Sequence, residues 1–155
     1  VIDLGAAPGG WSQIAADLVG ESGRVIALDL LPMDPLSGVE LLLGDFREDE
    51  TLAELLALLG GEPADLVLSD MAPNASGMMA VDQPRVLSLC ELALDLARQV
   101  LKQDGRLVVK IFQGQGFEDY LKQLRTSFRR VVSRKPKASR ARSREQYLVA
   151  DGFHR

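Results

Sequence analysis

Apolar and polar positions alternate along the chain in two rhythms. Short, mostly apolar runs read as strands: Val1 to Leu4, Arg24 to Leu30, Val39 to Leu43, Asp65 to Ser69, Arg106 to Phe112, Arg130 to Arg134 and Glu145 to Ala150. Between them, Trp11 to Val19, Asp49 to Leu59, Asp82 to Lys102 and Phe117 to Phe128 repeat their apolar residues at helical spacing. Such alternation predicts an α/β domain with a mainly parallel, seven-stranded sheet covered by helices on both faces. The last two strands, joined by a basic loop, are expected to form an antiparallel hairpin at the edge. No internal repeat, low-complexity tract or linker divides residues 1–155, so one domain is expected.

Composition narrows the possibilities. At 155 residues and 46% hydrophobic content the chain can bury a sizeable core without staples. A single cysteine, Cys90, and a single histidine, His154, cannot build a disulfide framework or a His/Cys metal site, so no metal is expected. No apolar run approaches the roughly 20 residues that cross a bilayer, and no signal peptide opens the chain. A cytoplasmic, monomeric protein is the expectation. Residue 1 is valine and already reads as strand interior, so an upstream segment is expected to be missing.

The formal charge of −4 is unevenly spread: Arg125 to Arg144 contains nine of the 18 Lys/Arg residues and no Asp or Glu. A basic stripe on an acidic body suggests a polyanion held on one face, with phosphates supplying much of the affinity.

The strand ends carry the candidate chemistry. The first strand runs through Asp3-Leu4-Gly5-Ala6-Ala7-Pro8-Gly9-Gly10-Trp11-Ser12, a small-residue loop opening a helix. Glycines allow close backbone approach to a ligand, and a helix N-terminus offers N–H groups to a negative group, as in Rossmann-type nucleotide crevices. The spacing fits neither the dinucleotide fingerprint nor the P-loop. Asp3, Asp29, Asp45 and Asp70 each lie at or near the end of one of the first four strands, and parallel strand ends converge on one crevice. Four carboxylates would repel a pyrophosphate, which argues against a nicotinamide-dependent oxidoreductase. They suit a sulfonium compound with an amino group and a ribose, which describes S-adenosylmethionine: hydroxyls on Asp29, adenine near Asp45 and a carboxylate at the helix N-terminus.

Lys110 interrupts the apolar run Leu107-Val108-Val109-Lys110-Ile111-Phe112 after a turn signal at Asp104-Gly105. A desolvated ammonium needs a partner or a task, and a lysine set among carboxylates is suited to proton transfer. Asp70 and Glu145 are the candidate neighbours. Asp70-Met71-Ala72-Pro73-Asn74 lacks the second proline and the aromatic residue expected of exocyclic-amine methylation, and no cysteine is placed to attack a pyrimidine ring. Activation of a weakly acidic hydroxyl, such as a ribose 2′-OH, remains.

These segments, together with Asp29-Leu30-Leu31-Pro32-Met33, Gly44-Asp45-Phe46-Arg47, Ser69-Asp70-Met71-Ala72-Pro73-Asn74, Val109-Lys110-Ile111-Phe112-Gln113-Gly114 and Ser139-Arg140-Ala141-Arg142-Ser143-Arg144-Glu145, closely resemble the FtsJ/RrmJ family of bacterial ribosomal RNA large-subunit methyltransferases. The resemblance covers essentially the whole chain. It implies methyl transfer from S-adenosylmethionine to the 2′-oxygen of a uridine in the A-loop of 23S rRNA, within the 50S subunit. Asp70, Lys110 and Glu145 match the last three members of a Lys-Asp-Lys-Glu catalytic set. Asp3, Gly5, Gly9, Trp11, Asp29, Asp45 and Asp70 are the candidate cofactor contacts, and Arg134, Lys135, Arg140, Arg142 and Arg144 the candidate RNA contacts. The set's first lysine has no counterpart and is expected upstream of Val1, so the chain as given is expected to bind cofactor weakly and methylate poorly. A tRNA or mRNA-cap 2′-O-methyltransferase and a noncatalytic RNA-binding assembly factor are the alternatives.

Overall fold

The computed structural model describes residues 1–7, 9–71, 78–135 and 145–155. Among these residues seven strands, β1 (Ile2–Leu4), β2 (Val25–Asp29), β3 (Val39–Leu43), β4 (Ala64–Ser69), β5 (Leu101–Phe112), β6 (Phe128–Arg134) and β7 (Glu145–Phe153), alternate with four helices, α1 (Gly10–Val19), α2 (Asp49–Leu59), α3 (Met79–Val100) and α4 (Phe117–Ser127). One sheet holds all seven strands in the order β3-β2-β1-β4-β5-β7-β6. The first five are parallel, and β7 runs antiparallel to both β5 and β6. The expected terminal hairpin is present, with β7 inserted beside β5 and β6 taking the edge.

Burial explains the strand compositions. In β1 all three residues are buried, whereas edge strand β3 has no fully buried residue. In β5, Leu107, Val109 and Ile111 are fully buried, while Val108, Lys110 and Phe112 point to the opposite, half-covered face. That alternation places Lys110 on an accessible face of an interior strand.

The third helix begins three residues before the expected Asp82 and ends at Val100. Pro84 is tolerated because it lies in the second turn, where it removes only one bond of the helical ladder. Leu101, read from sequence as part of the helix, already pairs with Ala64 in the sheet. The Asp104-Gly105 turn is accommodated within β5 as an irregularity opposite Ala64 and Leu66, with Asp104 at φ 67°.

Candidate active site

The chain leaves β1 toward β2 on one side, while β4 lies on the other, which opens a crevice at the carboxyl ends of these strands. Gly5 makes the sharp exit: its φ of +73° and the 2.9 Å that would separate an added Cβ from Met71 Cα leave room for glycine alone. The amides of Gly5 and Ala6 both donate to the Leu28 carbonyl, fastening the loop to β2.

A cleft of about 600 Å³ lies beside this loop. One wall carries Gly5, Ala7, Asp29, Asp45 and Asp70, and α3 contributes Arg85, Ser88 and Leu89. Asp29 is held by two backbone donors, Ala7 N to Oδ2 at 2.8 Å and Leu31 N to Oδ1 at 2.9 Å. Its carboxylate therefore ties the glycine loop to the segment after β2 and retains further acceptor capacity. Asp45 receives the Arg47 guanidinium in a fork, with Nη2 to Oδ2 at 2.7 Å and Nε to Oδ1 at 3.0 Å, which holds its carboxyl below the usual range.

Asp3 does not join them, which corrects the expectation of four carboxylates facing one ligand. It is the middle residue of β1, 1% exposed, and its Oδ2 accepts from Ser12 Oγ at 2.6 Å. Burial, opposed by the Ser12 hydrogen bond, pushes its carboxyl up to about 6. Oδ1 has no hydrogen-bond partner among the described residues. Asp3 braces the first turn of α1 beneath the loop. Gly9 and Trp11, also expected at the cofactor, do not line the cleft. Gly9 caps α1 at φ 115° near Met33 and Leu36, and Trp11 packs on Tyr147 with ring centroids 5.3 Å apart.

Sheet register gathers the reactive groups on one rung. Ser69 pairs with Val109, so Asp70 emerges beside Lys110, whose other neighbour is Tyr147. Lys110 Nζ lies 3.2 Å from Asp70 Oδ1, with the two side chains 14% and 32% exposed. The Tyr147 hydroxyl donates to the same oxygen at 3.1 Å, and burial together with the Asp70 charge raises its own ionisation. Glu145 pairs with Phe112, two residues from Tyr147 on the same face. It is thus a diagonal neighbour of Lys110, a relation that typically spans roughly 7–8 Å and stays within reach of long side chains.

Sequence reasoning misses Tyr147, although strand alternation from Glu145 offers the signal: residues 145 and 147 share a face, and 147 meets Lys110. It misses Gln83 as well. Gln83 is buried in α3 and donates to the carbonyls of Phe112 and Gln115, clamping the turn that follows β5.

Of the candidate RNA contacts, Arg134 pairs with Tyr147 across β6 and β7, on the rung of Lys110, and Arg134 and Lys135 are both exposed. Arg140, Arg142 and Arg144 lie outside the described residues. Arg129, within the same basic stretch, is engaged by Asp104 at 2.6 Å. Among the described residues no group of three His, Cys, Asp or Glu could hold a metal ion, and no helix is long and apolar enough to cross a membrane.

The family model described as FtsJ-like methyltransferase matches residues 1–153. The chain is 66% identical over 154 residues to a ribosomal RNA large subunit methyltransferase E of Chromohalobacter salexigens, covering 99% of this chain and 73% of that protein. The corresponding protein of Marinobacter nauticus is 60% identical over 153 residues, with 99% and 74% covered. Among solved structures, a ribosomal RNA methyltransferase from Plasmodium falciparum superposes with a TM-score of 0.83 at 26% identity, covering 98% of this chain and 85% of that one. A Streptococcus mutans methyltransferase in complex with S-adenosylhomocysteine shares the fold at TM-score 0.57 and 15% identity, with 98% and 86% covered. Cleft, lysine-carboxylate rung and these likenesses agree, and the chain belongs to the FtsJ-like methyltransferase family.

Proposed function

We propose that this chain transfers a methyl group from S-adenosylmethionine to the ribose 2′-OH of a uridine in the A-loop of 23S rRNA, on the large ribosomal subunit. The observation that carries the chemistry is Lys110, largely withdrawn from water and set 3.2 Å from Asp70 at the rim of the cleft. The Chromohalobacter and Marinobacter relatives, ribosomal RNA large subunit methyltransferases by name, support the ribosomal RNA substrate. The Streptococcus mutans neighbour solved with S-adenosylhomocysteine supports the cofactor at the level of the fold.

The residues present fit that cofactor. On the wall Asp29 is the carboxylate that no cation engages among the described residues, which favours a sulfonium and an amino group over a pyrophosphate, and the glycine exit allows close backbone approach. Asp29 would hold the ribose hydroxyls, Asp45 the adenine end and the glycine loop the methionine end. When bound, S-adenosylmethionine supplies a methyl group already activated by its sulfonium.

The chain's own side chains then act on the acceptor. As a neutral amine Lys110 accepts the proton of the 2′-hydroxyl it orients, Asp70 fixes the ammonium that forms, Tyr147 fixes Asp70, and Glu145 adds a second carboxylate near the lysine. Because the donor is pre-activated, alignment supplies much of the acceleration. Arg134, Lys135, Arg140, Arg142 and Arg144 would hold the RNA. The family's first lysine has no counterpart in residues 1–155, so transfer assays place a relative's N-terminal segment ahead of Val1. Calorimetric titration with S-adenosylhomocysteine and NAD, followed by mass mapping of the methylated nucleotide in 23S rRNA, tests the reading. Binding of the first ligand alone and one 2′-O-methyluridine are expected. NAD binding, or a methyl group on a base, would refute it.

A further inference from the structure

Arg85 is the cation in the cleft wall that no carboxylate engages among the described residues. It lies in the second turn of α3 and is exposed, with Ser88 and Leu89 one turn on, on the same helix face. Val86 and Cys90, buried on the opposite side, fix that orientation. The other cations at this site are committed: Arg47 forks onto Asp45, and Lys110 faces Asp70. Arg85 makes no hydrogen bond or ion pair among the described residues, although the facing wall carries Asp29, Asp45 and Asp70.

An RNA ribose that presents its 2′-oxygen to Lys110 brings a phosphodiester on its neighbouring 3′-oxygen into the same space. That phosphate must approach a wall on which Asp29 has no cationic partner among the described residues and the cations on Asp45 and Asp70 are already engaged, so a further cation is needed to receive it. Lys110 is held by Asp70 and cannot serve both. A guanidinium presents a planar fork of donors that matches phosphate oxygens. We propose that Arg85 binds the phosphodiester of the acceptor nucleotide and so positions its 2′-hydroxyl at Lys110, a contact separate from the basic stretch on β6 and the loop after it. The inference rests on the reading of the cleft as a 2′-O-methyltransferase site.

Two binding measurements on Arg85→Gln and Arg85→Lys test it. The first follows affinity for a 23S rRNA transcript across salt concentrations, and the second titrates S-adenosylhomocysteine. In Arg85→Gln the RNA dissociation constant should rise about tenfold at low salt, and the salt slope should fall by about 0.7, the share of one phosphate on a single strand. Arg85→Lys should keep the slope, and in Arg85→Gln the loss of S-adenosylhomocysteine affinity should be much smaller than the loss of RNA affinity. An unchanged slope in Arg85→Gln overturns the proposal. So does a matching loss of S-adenosylhomocysteine affinity, which would assign Arg85 to the cofactor carboxylate. Failure of the wild type preceded by a relative's N-terminal segment to bind S-adenosylhomocysteine would instead sink the proposed function.

Discussion

Lys110 owes its setting to register: Asp70 from β4 and Tyr147 from β7 flank it on one rung, and a single Asp70 oxygen receives both Nζ and the tyrosine hydroxyl. The lysine is conspicuous in the sequence because it breaks an apolar run, and Asp70 because it ends a strand. Tyr147 is not, because an aromatic in a strand usually packs against neighbours, and its hydroxyl acquires a partner only once β7 is placed beside β5. Asp3 misleads for the opposite reason. A carboxylate near a glycine loop suggests a ligand, but in a three-residue strand buried on both faces the middle side chain has only the α1 N-terminus to meet. The pH consequence follows from its raised carboxyl. In the unfolded chain Asp3 ionises near 3.8 and in the fold near 6, so the native state holds the extra proton between those values. Its contribution therefore favours folding below about pH 4 and is lost as pH rises through about 6. Asp3→Asn keeps an acceptor for Ser12 without the buried charge. Its stability relative to wild type should increase between pH 4 and 7, by up to about 3 kcal/mol at neutral pH. Urea denaturation at pH 4 and 7.5 checks this, and a difference independent of pH would show that Asp3 is not the titrating group.

At the scale of elements, helix and strand identities are legible throughout, because all-apolar strands and amphipathic helices bear different periods. Boundaries are not, and the α3–β5 junction shows why. Apolar residues continue through Val100 and Leu101 without a break, and only sheet pairing with Ala64 decides where the helix stops. The docking of α4 is also hidden. Tyr120, fully buried, donates its hydroxyl to the Cys90 carbonyl at 2.8 Å, tying α4 to the helix that bears Arg85 and Gln83. Burial raises the ionisation of the Tyr120 hydroxyl far above its ordinary value, so it remains a donor at any working pH. Tyr120→Phe keeps the ring and removes this tie, at a cost of about 1 kcal/mol. A fall in Tm of about 2–4 °C is expected in a domain of this size. Calorimetry showing no change would mean that the hydroxyl adds nothing to helix docking.

For the molecule as a whole, acidic and basic side chains gather at different parts of one sheet. Asp29, Asp45 and Asp70 gather at the cleft, and exposed cations occupy the β6 edge, with Arg134 on the rung of Lys110. The sequence displays this polarity as a charge run, but it cannot show that the two surfaces meet at one rung, which depends on β7 threading between β5 and β6. Arg134→Glu combined with Lys135→Glu should weaken binding to 23S rRNA and lower its salt slope by about 0.7 for each phosphate no longer neutralised. Affinity for S-adenosylhomocysteine should stay within about twofold, since neither residue lines the cleft. Equal losses in both would place the basic edge in the cofactor site. The most direct measurement is methyl transfer from labelled S-adenosylmethionine to undermethylated large ribosomal subunits, comparing Lys110 with Lys110→Ala, each preceded by a relative's N-terminal segment. Labelled 2′-O-methyluridine from the lysine protein, and a loss of at least about 100-fold in turnover with retained RNA binding in Lys110→Ala, is the predicted result. Undiminished transfer by Lys110→Ala would contradict a reaction centred on this lysine.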